Sequence, residues 1–218
     1  NFDVAREAMV ECQLMPNGIT EQAVLDAFSA IPREAFMPEK YQGIAYQDKD
    51  ILFSNGRDIL APTTFAKLIK ALNVSSEDIV LCLGDISGYA AAILSSLVST
   101  VVRVEEDPHA LDFADQLYQS LDMLNVVSIQ GDISNGDKAH APFDKIILCG
   151  ASAIEPNVLM RQLSPSGVLS YIYKTEEHHC GYVSSVTSIK LGEFERQKHG
   201  EVAACYCLGY EPKKKFAF

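Results

Sequence analysis

From Ile79 onward the chain alternates short apolar runs with stretches of helical spacing, and this alternation restricts the fold more than any other feature. The runs are IVLCL at 79–83, TVVRV at 100–104, VVSIQ at 126–130 and KIILC at 145–149, with YAAAILSSLV and ALDFADQLYQSL between the earlier ones. Short continuous apolar strands belong to a parallel sheet covered by helices on both faces. The expected fold is therefore α/β, a mostly parallel, doubly wound sheet. After the turn SPSG at 164–167, the runs VLSYIY, YVSSVTSIKL and EVAACYCLGY have strand character with no helix between the last two. They predict an antiparallel C-terminal edge, its last strand at 201–210.

Upstream, the pattern is helical. Val24, Leu25, Phe28 and Ile31 lie on one helix face, introduced by Thr20 and ended by Pro32, and Phe65, Leu68, Ile69 and Leu72 repeat the spacing after Pro62. Residues 38–62 read as irregular, with Gly43 and Asn55-Gly56 as turn signals. The expected division is an N-terminal helical region, 1–72, and an α/β core, 73–218, in one compact unit; 218 residues suit that size.

Charge narrows the partners. Eighteen basic against 29 acidic residues give a net charge of -11, which disfavours nucleic acid and anionic membrane surfaces. No apolar run approaches the roughly 20 residues that span a bilayer. Six cysteines without disulfide or zinc spacing are expected to be free thiols, and the expected compartment is the cytoplasm. His178-His179-Cys180 and Cys205-Tyr206-Cys207 hold metal-ligand types but lack paired spacing; they read as a polar turn and a strand, and no metal is expected. The Lys213-Lys214-Lys215 tail reads as a solvated end.

The segment LGDISGY, 83–89, places Gly84 and Gly88 after the first core strand, where an open α/β sheet binds its ligands. Glu105 and Glu106 end the second strand about 20 residues beyond Gly84, the separation at which a carboxylate accepts hydrogen bonds from a ribose diol. Asp132 ends the third and is placed to face an adenine amino group. Any one of these features suits a turn or a helix cap, whereas their order at three successive strand ends points to a nucleoside cofactor.

The sequence resembles the protein-L-isoaspartate O-methyltransferases. MVECQL at 9–14, IPREAFMP at 31–38, Ala45-Tyr46, VLCLGDISGY, VRVEED, QGDI, APFDKII at 141–147 and QLSPSG at 162–167 follow that family's order as far as about Tyr173. The resemblance implies a Rossmann-like methyltransferase fold with S-adenosylmethionine as cofactor. It also implies methyl transfer to the carboxylate of an isoaspartyl residue in a damaged protein or peptide. Such a reaction needs alignment and desolvation rather than a side-chain nucleophile, so no catalytic residue is assigned. By resemblance Gly84, Asp85, Ser87 and Gly88 form the cofactor loop, Glu105 with Glu106 serves the ribose, and Asp132 with Ile133 the adenine.

Two departures from the family pattern bear on activity. An acidic residue and a glycine of the loop are replaced by Cys82 and Ile86. The substrate-side Thr-x-Ser-Gln-Pro is Asp58-Ile59-Leu60-Ala61-Pro62, so the candidate substrate contacts Asp58 and Leu60 offer a negative charge, to be paired with Arg57, and no donor. A non-catalytic protein that retains the fold, and a methyltransferase with another acceptor, are the alternatives. A nicotinamide-dependent dehydrogenase is disfavoured by the absence of G-x-G-x-x-G. Arg33 and Glu34 are expected to pair with each other.

Overall fold

A computed structural model of the chain describes residues 1–54, 56–190 and 192–213. Asn55 of the expected turn, Leu191 and the lysines at 214 and 215 lie outside the described residues. The central sheet has seven strands: β3 (Ile79–Leu83), β4 (Thr100–Glu105), β5 (Val126–Gln130), β6 (Phe143–Ser152), β7 (Leu163–Tyr173), β8 (Gly181–Lys190) and β9 (Glu193–Val202), in spatial order β5-β4-β3-β6-β7-β8-β9. Pairing from β5 across to β7 is parallel, and β7-β8-β9 is antiparallel. The strand order reverses between β3 and β6, so the crevice at their carboxyl ends is the ligand position of such a sheet.

Two helices cross between the first strands: α5 (Tyr89–Ser95) and α6 (Pro108–Ser120), the latter capped by Asp107, whose carboxylate accepts from the His109 amide at 2.9 Å. The N-terminal region contributes α1 (Phe2–Met9), α2 (Gln22–Ala30), a single turn α3 (Glu39–Gln42) and α4 (Pro62–Leu72). Helix α2 starts one residue after Glu21, not at Thr20, and ends before Ile31-Pro32, because the residue before proline avoids the helical region. Within the stretch expected to be irregular lies a small hairpin, β1 (Ile51–Ser54) and β2 (Arg57–Ile59), antiparallel and separate from the main sheet.

One apolar layer joins Phe28, Phe36, Phe65 and Tyr89 to the face of β3 and β6, and a second packs Leu81, Leu83, Leu148 and Leu169 on the other side. Phe28, Phe36 and Tyr89 meet edge-on, with ring centroids 5.8–6.3 Å apart. No helix among the described residues is long and apolar enough to cross a membrane.

The last strand is a correction. The apolar run at 201–210 was expected to form it, yet β9 is Glu193–Val202, and residues 203–210 fold back over the carboxyl end of β6. Strand β9 is an edge strand with exposed residues along most of its length, so it needs no apolar pattern.

Candidate functional site

The loop after β3 takes its left-handed turns at Gly84, φ +78°, and Gly88, φ +84°. Ile86, which replaces a family glycine, is buried without a positive φ, so its β-branched side chain adds apolar packing and no strain. Asp85 is also buried. Its carboxylate accepts the Gly88 amide at 3.0 Å, the Ser87 hydroxyl at 3.1 Å and the Ala91 amide at 2.9 Å, which ties the loop to the start of α5. Arg103, fully buried on β4, donates to the Asp85 carbonyl through Nε at 3.2 Å and Nη2 at 2.9 Å. Sequence reasoning missed Arg103; its signal is a lone cation inside the apolar run TVVRV. Tyr118 of α6 donates to the Gly88 carbonyl at 2.8 Å and would meet any β-carbon placed on Gly88.

Of the strand-end acids, Glu105 is fully buried and fully engaged. Arg57 grips it with both arms, Nη1 to Oε1 at 2.5 Å and Nη2 to Oε2 at 2.8 Å, and Oε1 also accepts the amides of Glu106 and Asp107. Arg57 was expected to pair with Asp58; the fork-to-fork geometry with Glu105 is the stronger arrangement. Glu106 accepts the Ile133 amide at 3.3 Å, and Asp132 accepts the Ser134 amide at 2.7 Å and the Asn135 side chain at 2.7 Å, capping a short turn. Ile133 is buried beneath it. Glu106, Gln130, Gly131, Asp132 and Ser134, with Leu208 and Gly209, line a depression of about 680 Å³.

The other end of the crevice is filled. Residues 203–210 are held on β6 by Ala151, whose amide donates to the Cys205 carbonyl and whose carbonyl accepts the Cys207 amide, both at 2.8 Å. The Ala153 amide donates to the Tyr210 carbonyl at 2.9 Å, and Lys174 donates to the Ala204 carbonyl at 2.9 Å. A β-carbon on Gly84 would stand 2.6 Å from Cys207 Sγ, and one on Gly150 would stand 2.8 Å from Cys207 Cβ. Burial pushes the Cys207 thiol up to about 12. Cys205 is exposed, is pushed up to about 11 by burial of its sulfur, and lines a small cavity with Asp58. All six cysteines are free, and no three His, Cys, Asp or Glu side chains among the described residues gather to hold a metal.

On the substrate side, Asp58 and Leu60 border two small cavities of about 20 and 10 Å³ against the loop. Arg33 lines the larger. It is fully buried and donates to the carbonyls of Ala45 at 2.8 Å and Leu60 at 2.7 Å, with its guanidinium 4.8 Å from the Tyr89 ring centroid. Glu34 turns outward to Arg6 and Tyr46, so the expected Arg33–Glu34 pair does not form.

Comparison with known proteins gives one answer. Residues 5–202 match the family Protein-L-isoaspartate(D-aspartate) O-methyltransferase. Protein-L-isoaspartate O-methyltransferase 2 of Pelobacter propionicus is 40% identical over 169 residues, 78% of this chain and 75% of that protein. Its namesake in Marinobacter nauticus is 33% identical over 209 residues, 94% of each chain. Among solved structures, a protein-L-isoaspartate O-methyltransferase superposes with a TM-score of 0.80 at 21% identity, over 94% of this chain and 66% of that one. A structure from Plasmodium falciparum, in complex with S-adenosyl-L-homocysteine, gives 0.75 at 17% identity, over 95% and 98%. With its Rossmann-like sheet and a match spanning most of its length, the chain belongs to the protein-L-isoaspartate(D-aspartate) O-methyltransferase family.

Proposed function

We propose that the chain is an S-adenosylmethionine-dependent carboxyl methyltransferase that acts on isoaspartyl residues of damaged proteins or peptides. The observation that carries this reading is the series of polar groups at the carboxyl ends of β3, β4 and β5, in a chain of this family. Glu105 would take the ribose hydroxyls; Glu106, Asp132 and the Ile133 backbone would border the adenine. Gly84 and Gly88 would let the backbone approach the methionine part, while Asp85 and Ser87 shape the loop through their own hydrogen bonds. When bound, the cofactor supplies an electrophilic methyl group.

The chemistry of these donors and acceptors fits that cofactor, but Cys207 on Gly84 and Arg57 on Glu105 hold the space it needs. The chain's own task in the reaction is to exclude water and hold the acceptor carboxylate. Leu60 presents its carbonyl to Arg33 and no side-chain donor, and Arg33 is a buried cation bordering the acceptor side. Its Nη1 has no partner among the described residues. The cytoplasm is the compartment proposed, supported by six free cysteines.

Transfer of labelled methyl from S-adenosylmethionine to an isoaspartyl peptide, with the aspartyl isomer as control, tests the reading. Base-labile label on the isoaspartyl peptide alone is expected; cofactor binding without transfer to it would remove the substrate assignment. The filled crevice favours a second reading, a non-catalytic protein that retains the fold, which any cofactor-dependent transfer would exclude.

A further inference from the structure

We propose that residues 203–210 form a strap that occupies the cofactor crevice of the unliganded protein, and that S-adenosylmethionine binds only when this strap leaves and Arg57 releases Glu105. The inference deepens the cofactor reading above and rests on it.

Three independent features meet at this place. The first is position: the family match stops at Val202, and the segment that follows turns straight into the crevice between β3 and β6. The second is fit. Cys207 lies against both Gly84 and Gly150, the glycines on either side of the switch point, at distances that leave no room for a β-carbon on either. Ala204, Cys207 and Tyr210 are buried to 5% exposure or less. The cavity beside Cys207, about 10 Å³, holds a water molecule at most. A chain sulfur thus stands over the glycine expected to meet the methionine part of the cofactor.

The third feature is competition for one acceptor. A ribose diol donates two hydrogen bonds to a carboxylate, and the fully buried Glu105 already accepts two from Arg57 and two from the amides of Glu106 and Asp107, which fills its four acceptor positions. Ligand and guanidinium cannot both take them. Arg57 sits at the start of β2, and Arg57, Asp58, Cys205 and Cys207 line one small cavity, so the ion pair and the strap face each other across it. The closed arrangement comes from one segment of eight residues, held by backbone hydrogen bonds, by Lys174 and by burial of Ala204, Cys207 and Tyr210, so a single truncation removes it whole.

A closed crevice lowers apparent affinity by the fraction of molecules that are open. Titration calorimetry with S-adenosylhomocysteine on the ligand-free full chain, on Cys207→Asp and on a chain ending at Val202 reads that fraction. Unseating the strap is expected to tighten binding by about tenfold or more. Equal affinity in the full chain and both variants would overturn the strap while leaving the cofactor reading intact. No binding by any of the three, all folded by circular dichroism, would overturn the strap together with the cofactor reading. Should both variants fail to fold, alkylation of Cys207 in the unaltered chain decides. Faster labelling at millimolar S-adenosylhomocysteine than without it is expected, and an unchanged rate would contradict the strap.

Discussion

The two ends of the crevice are built from the same kinds of residue and reach opposite states. At the β5 end, Glu106, Gln130 and Asp132 are exposed around a depression of about 680 Å³. At the β3–β6 end, Gly84, Cys149 and Gly150 lie under Cys205, Tyr206 and Cys207, and about 10 Å³ remains. Acids and glycines alone therefore do not make an open site. What differs is how the 203–210 segment meets them: Leu208 and Gly209 only border the open end, whereas at the other Cys205 and Cys207 bond the backbone of Ala151 and Cys207 packs on Gly84 and Gly150.

The comparison breaks most visibly at the ion pair. Arg57→Ala leaves the buried Glu105 without its counter-charge, and a loss of about 3 kcal/mol or more in urea unfolding is expected. A loss below about 1 kcal/mol would mean that Glu105 reaches water and the end is not closed. Next come the glycines. Gly84→Ala sets a β-carbon 2.6 Å from Cys207 Sγ at φ +78°, with an expected cost of about 2–3 kcal/mol. Gly131→Ala, at the open end, meets only Val104 at 3.3 Å without a positive φ and should cost about 1 kcal/mol or less. Similar losses at both positions would erase the distinction.

Thiol reactivity sharpens it further. Cys12 and Cys180 are exposed and should be alkylated at pH 8 about tenfold or more faster than the buried Cys207. Burial holds the Cys207 proton from an ordinary 9.0 up to about 12, so the seated strap binds that proton more tightly than the released one. Raising the pH from about 9 toward 12 therefore favours release, and labelling of Cys207 should accelerate beyond what its thiolate fraction alone gives. The smallest effect belongs to the open end: Asp132→Ala loses the cap of one short turn, about 0.5–1 kcal/mol in the same urea assay.

Much of the fold was legible because parallel strands buried on both faces are written as apolar runs, and IVLCL, TVVRV and KIILC are such runs. The same logic misplaced the last strand. EFERQKHGEV is solvated along most of its length and carries no apolar signal, while the following run AACYCL is apolar because Ala204 and Cys207 fill a crevice. Hydrophobic pattern reports burial, not the element that achieves it. The strand-end acids were legible by spacing along the chain. Their partners were not, since Arg57 lies 48 residues from Glu105 and Arg103 reaches back 18 to the loop, separations that only the fold brings together.

Hydrogen exchange of the 203–210 segment, without ligand and with saturating S-adenosylhomocysteine, tests the closed crevice most directly. The Cys207 amide and that of Ala153, bonded across the strap, should be protected in the unliganded chain and lose that protection when ligand binds. Exchange at open-chain rates without ligand, or protection that stays unchanged with ligand bound, would contradict it.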